Sequence, residues 1–379
     1  MGPRRRPVPD ALEKTRVLAA LDPGQRAIVN AARRVSRKRG EPLYLVGGPV
    51  RDLLLGRAVG DVDLSVEGDG PSFARALAGP CRADIVVHPR FRTATLTLPP
   101  GVRVDVATAR SETYERPGAL PTVRAAEIHE DLARRDFTIN ALALRLAPVF
   151  QPEVLDPEGG RADLRGGKIR FLHERSALDD PTRAFRAVRY ANRFGFTIAA
   201  ETRRAIRNAL GAGAFDAVSA DRLRRELEKI LSERDRAGAV RRLRDLGLHR
   251  VLHPSLRVSR EVLERLRREE RASTGSSADW LTYLRVWAFE LKPAEAAELA
   301  RRLNLSRKDA DRLRGGPPPP RALSAPPLSI AGKNLLAAGA SPGPAIGWAL
   351  ARTLIARREG RITAEEELAF ALAAWREKP

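Results

Sequence analysis

LYLVGGPVRDLLLGRAVGDVDLSV, residues 43–66, decides how the rest of the chain is read. LYLV reads as a buried strand, PVRDLLL as a short helix opened by Pro49, and DVDLSV as a second strand with a period of two. Gly47 and Gly48 at the strand-to-helix junction let backbone approach a ligand closely, the free N–H groups of the helix start suit an anion, and Arg51 lies within the same first turn. Asp61 and Asp63 are two residues apart, so on a strand both carboxylates leave the same face while Val62 and Leu64 point into the core. Two such carboxylates repel each other. Magnesium, which binds through one or two carboxylates plus substrate phosphates, is the matching guest. A lone D-x-D is also found at solvated strand ends, but a glycine-framed anion site in the same unit favours the metal reading. A third carboxylate would complete a two-metal site, and Asp105, a polar residue within the apolar strand VRVDVAT (102–108), is the candidate, with Asp136 as its competitor.

Outward from this stretch, ADIVV (83–87) and TATLTL (93–98) extend the β-like pattern, which stops near Arg170. From Asp179 to about Arg314 apolar residues recur three and four apart with Arg and Glu between them, which predicts helix after helix. The order gives an α+β fold with an all-helical extension. GGPPPP (315–320) and SAPP (324–327) mark a boundary before a last helical segment, 328–379, interrupted by a turn at SPGP (341–344). At 379 residues the chain suits several domains. Its 68 Lys and Arg against 47 Asp and Glu give a net charge of +21, which points to a polyanionic partner. The preference for Arg over Lys favours nucleic acid, although a GC-rich genome would bias the choice of Arg as well. Cys81 is alone, which excludes a disulfide within the chain and argues against cysteine-ligated zinc. The five histidines lack metal-ligand spacing. No apolar run approaches the length of a membrane span, so no membrane partner and a cytoplasmic location are expected.

GGPVRDLLLG and GDVDL, followed by RRDFTINALAL (134–144), DPEGGRADL (156–164), DDPTRAFRAVRYANRFGF (179–196) and SADRLRREL (219–227), resemble in order the motifs of the bacterial-type (class II) CCA-adding tRNA nucleotidyltransferases and poly(A) polymerases. A weaker likeness continues through PGPAIGWAL (342–350). The resemblance implies a nucleotidyltransferase-type mixed-sheet head (1–170), a helical neck with a nucleotide-selecting helix (171–232), a helical body (233–320) and a helical, tRNA-binding tail (321–379). It implies that Gly48 and Arg51, with Gly47 beside them, contact the nucleotide triphosphate. Asp61 and Asp63 would hold Mg2+, Arg135 and Asp136 would lie near triphosphate and ribose, and Asp180, Arg183, Arg186 and Arg189 would belong to the nucleotide-selecting helix. Where the family often has Glu-Asp, this chain has Asp179-Asp180. The implied substrates are tRNA, CTP and ATP.

The pair Asp180 and Arg183 has its own chemical logic. Residues three apart share a helix face, so an acceptor stands beside donors. Cytosine and adenine each present an amino donor next to a ring-nitrogen acceptor, whereas uracil and guanine present the reverse and would leave buried groups unpaired at about 1–3 kcal/mol each. An isolated pair of this spacing would be a simple ion pair; here Arg186, Arg189 and Arg193 prolong the cationic face while Phe185 and Val188 form a core-facing stripe. The expected reaction is two-metal-assisted attack of the tRNA 3′-hydroxyl on the α-phosphate, with no protein nucleophile. Poly(A) polymerases share the head motifs, but RSETYERPGALPTV (110–123) is closer to the tRNA-repairing branch, and no long basic C-terminal extension follows. The full length of the segment between Asp105 and Arg134 argues against a CC-only enzyme and leaves an A-only one open. A non-catalytic RNA-binding module has no reason to keep the repelling Asp61/Asp63 pair. The Arg- and Glu-rich stretches 221–247 and 261–273 read as solvated helix faces, some of whose arginines touch RNA.

Overall fold

A computed structural model of the chain describes residues 8–9, 11–99, 101–113, 122–272, 279–315, 328–358 and 362–377. It divides into two compact units, Met1–Pro254 with Arg301–Asn304, and Ser255–Ala300 with Leu305–Pro379. The second unit is helical among the described residues, from Arg260–Ala272 to Glu367–Arg376. The proline-rich boundary at 315–327 lies almost wholly outside the described residues. No described helix is long and apolar enough to cross a membrane.

The first unit holds the sheet. All five strands expected between residues 43 and 108 form: β1 (Leu43–Val46), β2 (Val62–Val66), β3 (Asp84–His88), β4 (Thr93–Leu98) and β5 (Val102–Thr108). A hairpin of β6 (Arg110–Thr113) and β7 (Thr122–Ala125) follows, and residues 114–121 of the segment thought to bear on terminal addition lie outside the described residues. Then come β8 (Ala143–Ala147) and β9 (Val154–Leu155), and the large sheet runs β3-β4-β5-β2-β1-β8-β9. It is mixed: β2 and β5 pair in parallel and the other neighbours are antiparallel. The sequence ALRLA of β8 carries no β-branched residue and reads as helix, yet it forms a strand because pairing with buried β1 outweighs local propensity. A second departure is β11 (Thr197–Ile198), a short strand beyond Arg170 that pairs in parallel with β10 (Lys168–Ile169).

The helices of this part are α1 (Lys14–Ala19), α2 (Pro23–Arg39), α3 (Gly48–Leu54), α4 (Gly70–Cys81), α5 (Ile128–Ala133) and α6 (Gly160–Gly166). α2 begins with a reciprocal cap, in which Asp22 accepts from the Gln25 amide at 2.8 Å and the Gln25 side chain accepts from the Asp22 amide at 3.1 Å, and it ends at the left-handed Gly40. α2 and α4 cover one face of the sheet, burying Ile28, Phe73 and Leu77 with Val62, Leu64, Val104 and Val106. Alternation along β2 and β5 therefore turns Asp63 and Asp105 to the opposite face, where the register sets them side by side.

After the sheet come α7 (Ser176–Asp179), α8 (Thr182–Phe194), α9 (Ala200–Gly211) and α10 (Ala220–Leu231). α8 buries Phe185 and Val188 completely, the stripe expected from its sequence.

The helix–sheet contact tolerates no side chain at Gly70. Its amide donates to Thr108 Oγ1 at 2.8 Å, and an added Cβ would lie 2.5 Å from the Thr108 nitrogen and 2.7 Å from the Ala107 carbonyl carbon. Because the obstruction is backbone, Gly70→Ala is expected to destabilise the protein by about 1–3 kcal/mol, read as a lower urea midpoint at unchanged m-value.

Candidate active site

Gly47 ends β1 in the left-handed region, at φ +72°, where a Cβ is disfavoured. A Cβ there would also lie 2.8 Å from Arg135 Nη1. The junction between β1 and α3 is thereby open to the Arg135 guanidinium, and it borders a cleft of about 660 Å³. The cleft is lined by Gly47, Gly48, Arg51, Asp61, Asp63, Arg135, Asp136, Asp180, Arg183, Arg186 and Arg189. Of the catalytic and nucleotide-binding residues expected from the sequence, Asp105 alone does not line it.

Asp105 nevertheless bears on the site. It pairs with Asp63 across the parallel β2/β5 ladder, accepts from Thr95 Oγ1 at 2.6 Å and pairs with Arg103 at 3.3 Å. Loss of water around Asp63, then the charge of Asp105, pushes the Asp63 carboxyl up to about 6; Arg135 partly offsets this and Asp61 adds to it. Such a carboxylate, crowded by two others, has the hard oxygen donors a divalent cation takes and the repulsion a cation relieves. Among the described residues no group of three His, Cys, Asp or Glu side chains is gathered closely enough to hold a metal by itself. That geometry fits an ion held by two carboxylates and completed by substrate oxygens.

Asp136 has other partners. It is buried, receives the Phe137 amide at 2.9 Å and the Asn140 side-chain amide at 3.1 Å, and pairs with Arg186 at 2.5 Å. Burial opposes its ionisation, yet the Arg186 charge and these hydrogen bonds hold it below the usual carboxylate range. Asp131 is treated likewise: burial works against its charge, and Arg135 and Arg134, at 2.8 and 2.6 Å, prevail.

Asp180 departs from the expected geometry. It lies between α7 and α8 in extended conformation rather than on the helix, because the following Pro181 disfavours helical backbone at the residue before it. The shared-face argument for Asp180 and Arg183 therefore does not hold, although both line the cleft. Three donors converge on Asp180 Oδ1: the Thr182 amide at 3.0 Å, Thr182 Oγ1 at 2.6 Å and Arg222 Nη2 at 2.7 Å. No described donor is bonded to Oδ2. Arg183 donates from Nη2 to the Arg134 carbonyl at 3.4 Å, while its buried Nε has no acceptor among the described residues.

Sequence reasoning gave no part to Arg222, Asn140 or Tyr190, all of which line the cleft. Arg222 and Asn140 sit inside the quoted stretches SADRLRREL and RRDFTINALAL, and Tyr190 stands among the arginines of α8. Asp52, next to Arg51, is its bidentate partner at 3.0 Å through both Nε and Nη2.

A mixed sheet with Asp63 on its open face, Asp61 just ahead of the same strand, and the arginines of α8 lining one cleft with both is the arrangement of a nucleotidyltransferase. Residues 43–170 match the family described as "Poly A polymerase head domain", and residues 195–259 the one described as "Probable RNA and SrmB- binding site of polymerase A". A "CC-adding tRNA nucleotidyltransferase" of Deinococcus radiodurans is 37% identical over 375 residues, covering 95% of this chain and 96% of that protein. An "A-adding tRNA nucleotidyltransferase" of Geobacter sulfurreducens is 45% identical over 223 residues, 59% of this chain but only 25% of that protein's length. The solved Thermotoga maritima CCA-adding enzyme complexed with tRNA superposes with a TM-score of 0.68 at 28% identity, over 98% of this chain and 82% of that one. The chain belongs to the tRNA nucleotidyltransferase and poly(A) polymerase family.

The raised Asp63 carboxyl has a pH consequence. In the unfolded chain it ionises in the ordinary carboxylate range, so its stabilising neutral form in the fold is lost as pH rises towards 6. Asp63→Asn is expected to raise the Tm of the metal-free protein by a few degrees at about pH 8, with the gain vanishing at about pH 4, measured by calorimetry in chelator.

Proposed function

We propose that the protein is a CCA-adding tRNA nucleotidyltransferase that uses CTP and ATP and acts in the cytoplasm. The observation that carries this reading is the single cleft that Asp61 and Asp63 line together with Arg51, Arg135, Asp180 and Arg183. Asp61 and Asp63 would hold magnesium. Asp105 is the better candidate than Asp136 for a third carboxylate, since it acts directly on Asp63 while Asp136 is committed to Arg186 and Asn140. The chemistry such a cation supplies is acidification of the 3′-hydroxyl and neutralisation of the departing pyrophosphate.

The chain's own residues orient the reactants. Arg51 and Arg135, with the Gly47–Gly48 backbone, receive the triphosphate, so that the tRNA 3′-oxygen forms its bond to the α-phosphorus in line with the breaking bond to the β-phosphate bridge. Oδ2 of Asp180 accepts from the exocyclic amino group of cytosine or adenine, and the Arg183 guanidinium donates to the neighbouring ring nitrogen. Uracil and guanine bring a carbonyl to Asp180 and an N–H to Arg183, which leaves like groups facing each other. The helical body and tail, with part of the chain's +21 charge, hold the tRNA.

A CC-adding enzyme is the second reading, favoured by the Deinococcus relative that aligns over 95% of the chain. One assay separates the readings: tRNAs ending before CCA, after C and after CC are incubated with CTP, ATP or both, and the products are sized. The full CCA end from the shortest tRNA is expected with both nucleotides. A stop at CC selects the second reading, a single A added only to the CC-ended tRNA selects an A-adding enzyme, and long A-tails select a poly(A) polymerase.

Two substitutions test the roles. Asp61→Ala is expected to lower addition by at least about a thousandfold while tRNA affinity in a filter-binding assay changes less than about threefold; surviving activity refutes the metal assignment. Asp180→Ala is expected to lower kcat/KM for CTP and ATP by about tenfold to a hundredfold and to narrow their preference over UTP and GTP, measured in single-nucleotide addition.

A further inference from the structure

Three of the five N–H donors of Arg51 are engaged in the plane of its guanidinium, two by Asp52 at 3.0 Å and one by Asn140 Oδ1 at 2.7 Å. In-plane bonds fix where the edge of a guanidinium points; packing against its face fixes how the plane is tilted. Here the face meets rings from α8. Arg51 Cζ lies 4.7 Å from the Phe194 ring centroid and 5.5 Å from that of Tyr190. The two rings are themselves nearly parallel, 16° apart with centroids at 6.0 Å. Tyr190 is held edge-on by Phe137 at 5.5 Å, and Phe194 packs on Phe196 at 5.5 Å, so the platform is anchored on both sides. Arg51 is only 5% exposed and still lines the cleft, so the donors it has left are offered in a fixed direction.

We propose that Phe194 and Tyr190 are positioning residues for nucleotide addition: their rings set the plane of the Arg51 guanidinium, so the helix that carries Arg183 also sets the angle at which the triphosphate is gripped. This rests on the reading of Arg51 as a triphosphate ligand. The electrostatic attraction between a cation and a ring face adds to the packing and requires a flat aromatic side chain. A guanidinium exploits a flat platform through its own plane; an ammonium has no plane to set.

The test is a double-mutant cycle in steady-state nucleotide addition by the full chain, with melting temperatures followed in parallel. Phe194→Leu keeps an apolar side chain and is expected to raise KM for CTP and ATP about tenfold with kcat lowered less than about threefold, while Phe194→Tyr stays within about twofold of the parent. In an Arg51→Lys background the same Phe194→Leu change is expected to raise KM less than about twofold further. Should Phe194→Leu fail to fold, Tyr190→Leu is read in the same cycle, with Tyr190→Phe as the conservative partner. Equal effects in both backgrounds, or a Phe194→Tyr protein as impaired as Phe194→Leu, overturn the positioning role while leaving Arg51 as a triphosphate ligand. An Arg51→Lys protein with unchanged KM overturns the reading of Arg51 and the inference with it.

Discussion

The cleft depends on a continuous polar chain across the junction between the sheet and α8. Asp52 holds Arg51, Arg51 donates to Asn140, Asn140 donates to Asp136, and Asp136 pairs with Arg186 of the helix. Asp136 is ionised in a buried setting only because these partners outweigh the loss of water. Removing one member of such a pair exposes the other to the full desolvation cost, commonly about 3–5 kcal/mol. The chain therefore fixes two parts of the site at once: the arginine on the sheet side and the arginines on the helix side move together or not at all.

Charge in the cleft is divided by function. Carboxylates with arginine partners, Asp131 and Asp136, are held ionised and serve the frame. Asp63 is instead crowded by Asp105 and Asp61 and is pushed the other way. A carboxylate left in that condition is costly to the folded protein, and a cation reverses the cost. In the proposed function the arginines that line the same cleft answer a different charge, the triphosphate, and guanidinium around a site that also concentrates carboxylate suits joint binding of a cation and a polyanion.

Much of this was legible in the sequence because it is local. The strand–helix–strand unit at 43–66, the turn of Asp63 away from the core-facing Val62 and Leu64, and the apolar stripe of α8 all follow from periodicity and from glycine and proline placement, whereas Asp61, expected on the same strand, precedes β2. β8 was not legible, since Ala and Leu carry no strand signal and its pairing with β1 is a tertiary fact. The position of Asp180 differs from the shared-face expectation for a reason visible in the sequence: Pro181 keeps the residue before it extended, so α8 starts only at Thr182. Asn140 and Arg222 could not be assigned without the fold, because each acts on a residue more than 40 positions away.

In the proposed function, the extended conformation of Asp180 changes how a base would be read. On a helix face its carboxylate would have been one acceptor among several rotamers, free to turn towards Arg183. Off the helix, Thr182 and Arg222 converge on Oδ1 and lock the group, so that Oδ2 is the oxygen left for a ligand. A carboxylate fixed at one oxygen has little rotational freedom to lose when it accepts a hydrogen bond at the other, which strengthens binding of an amino group without adding a contact. The same fixation works against a carbonyl: the oxygen cannot turn aside to relieve the clash of two acceptors. In the proposed function Arg222, distant in sequence from Asp180, would contribute to discrimination by denying Asp180 an alternative orientation.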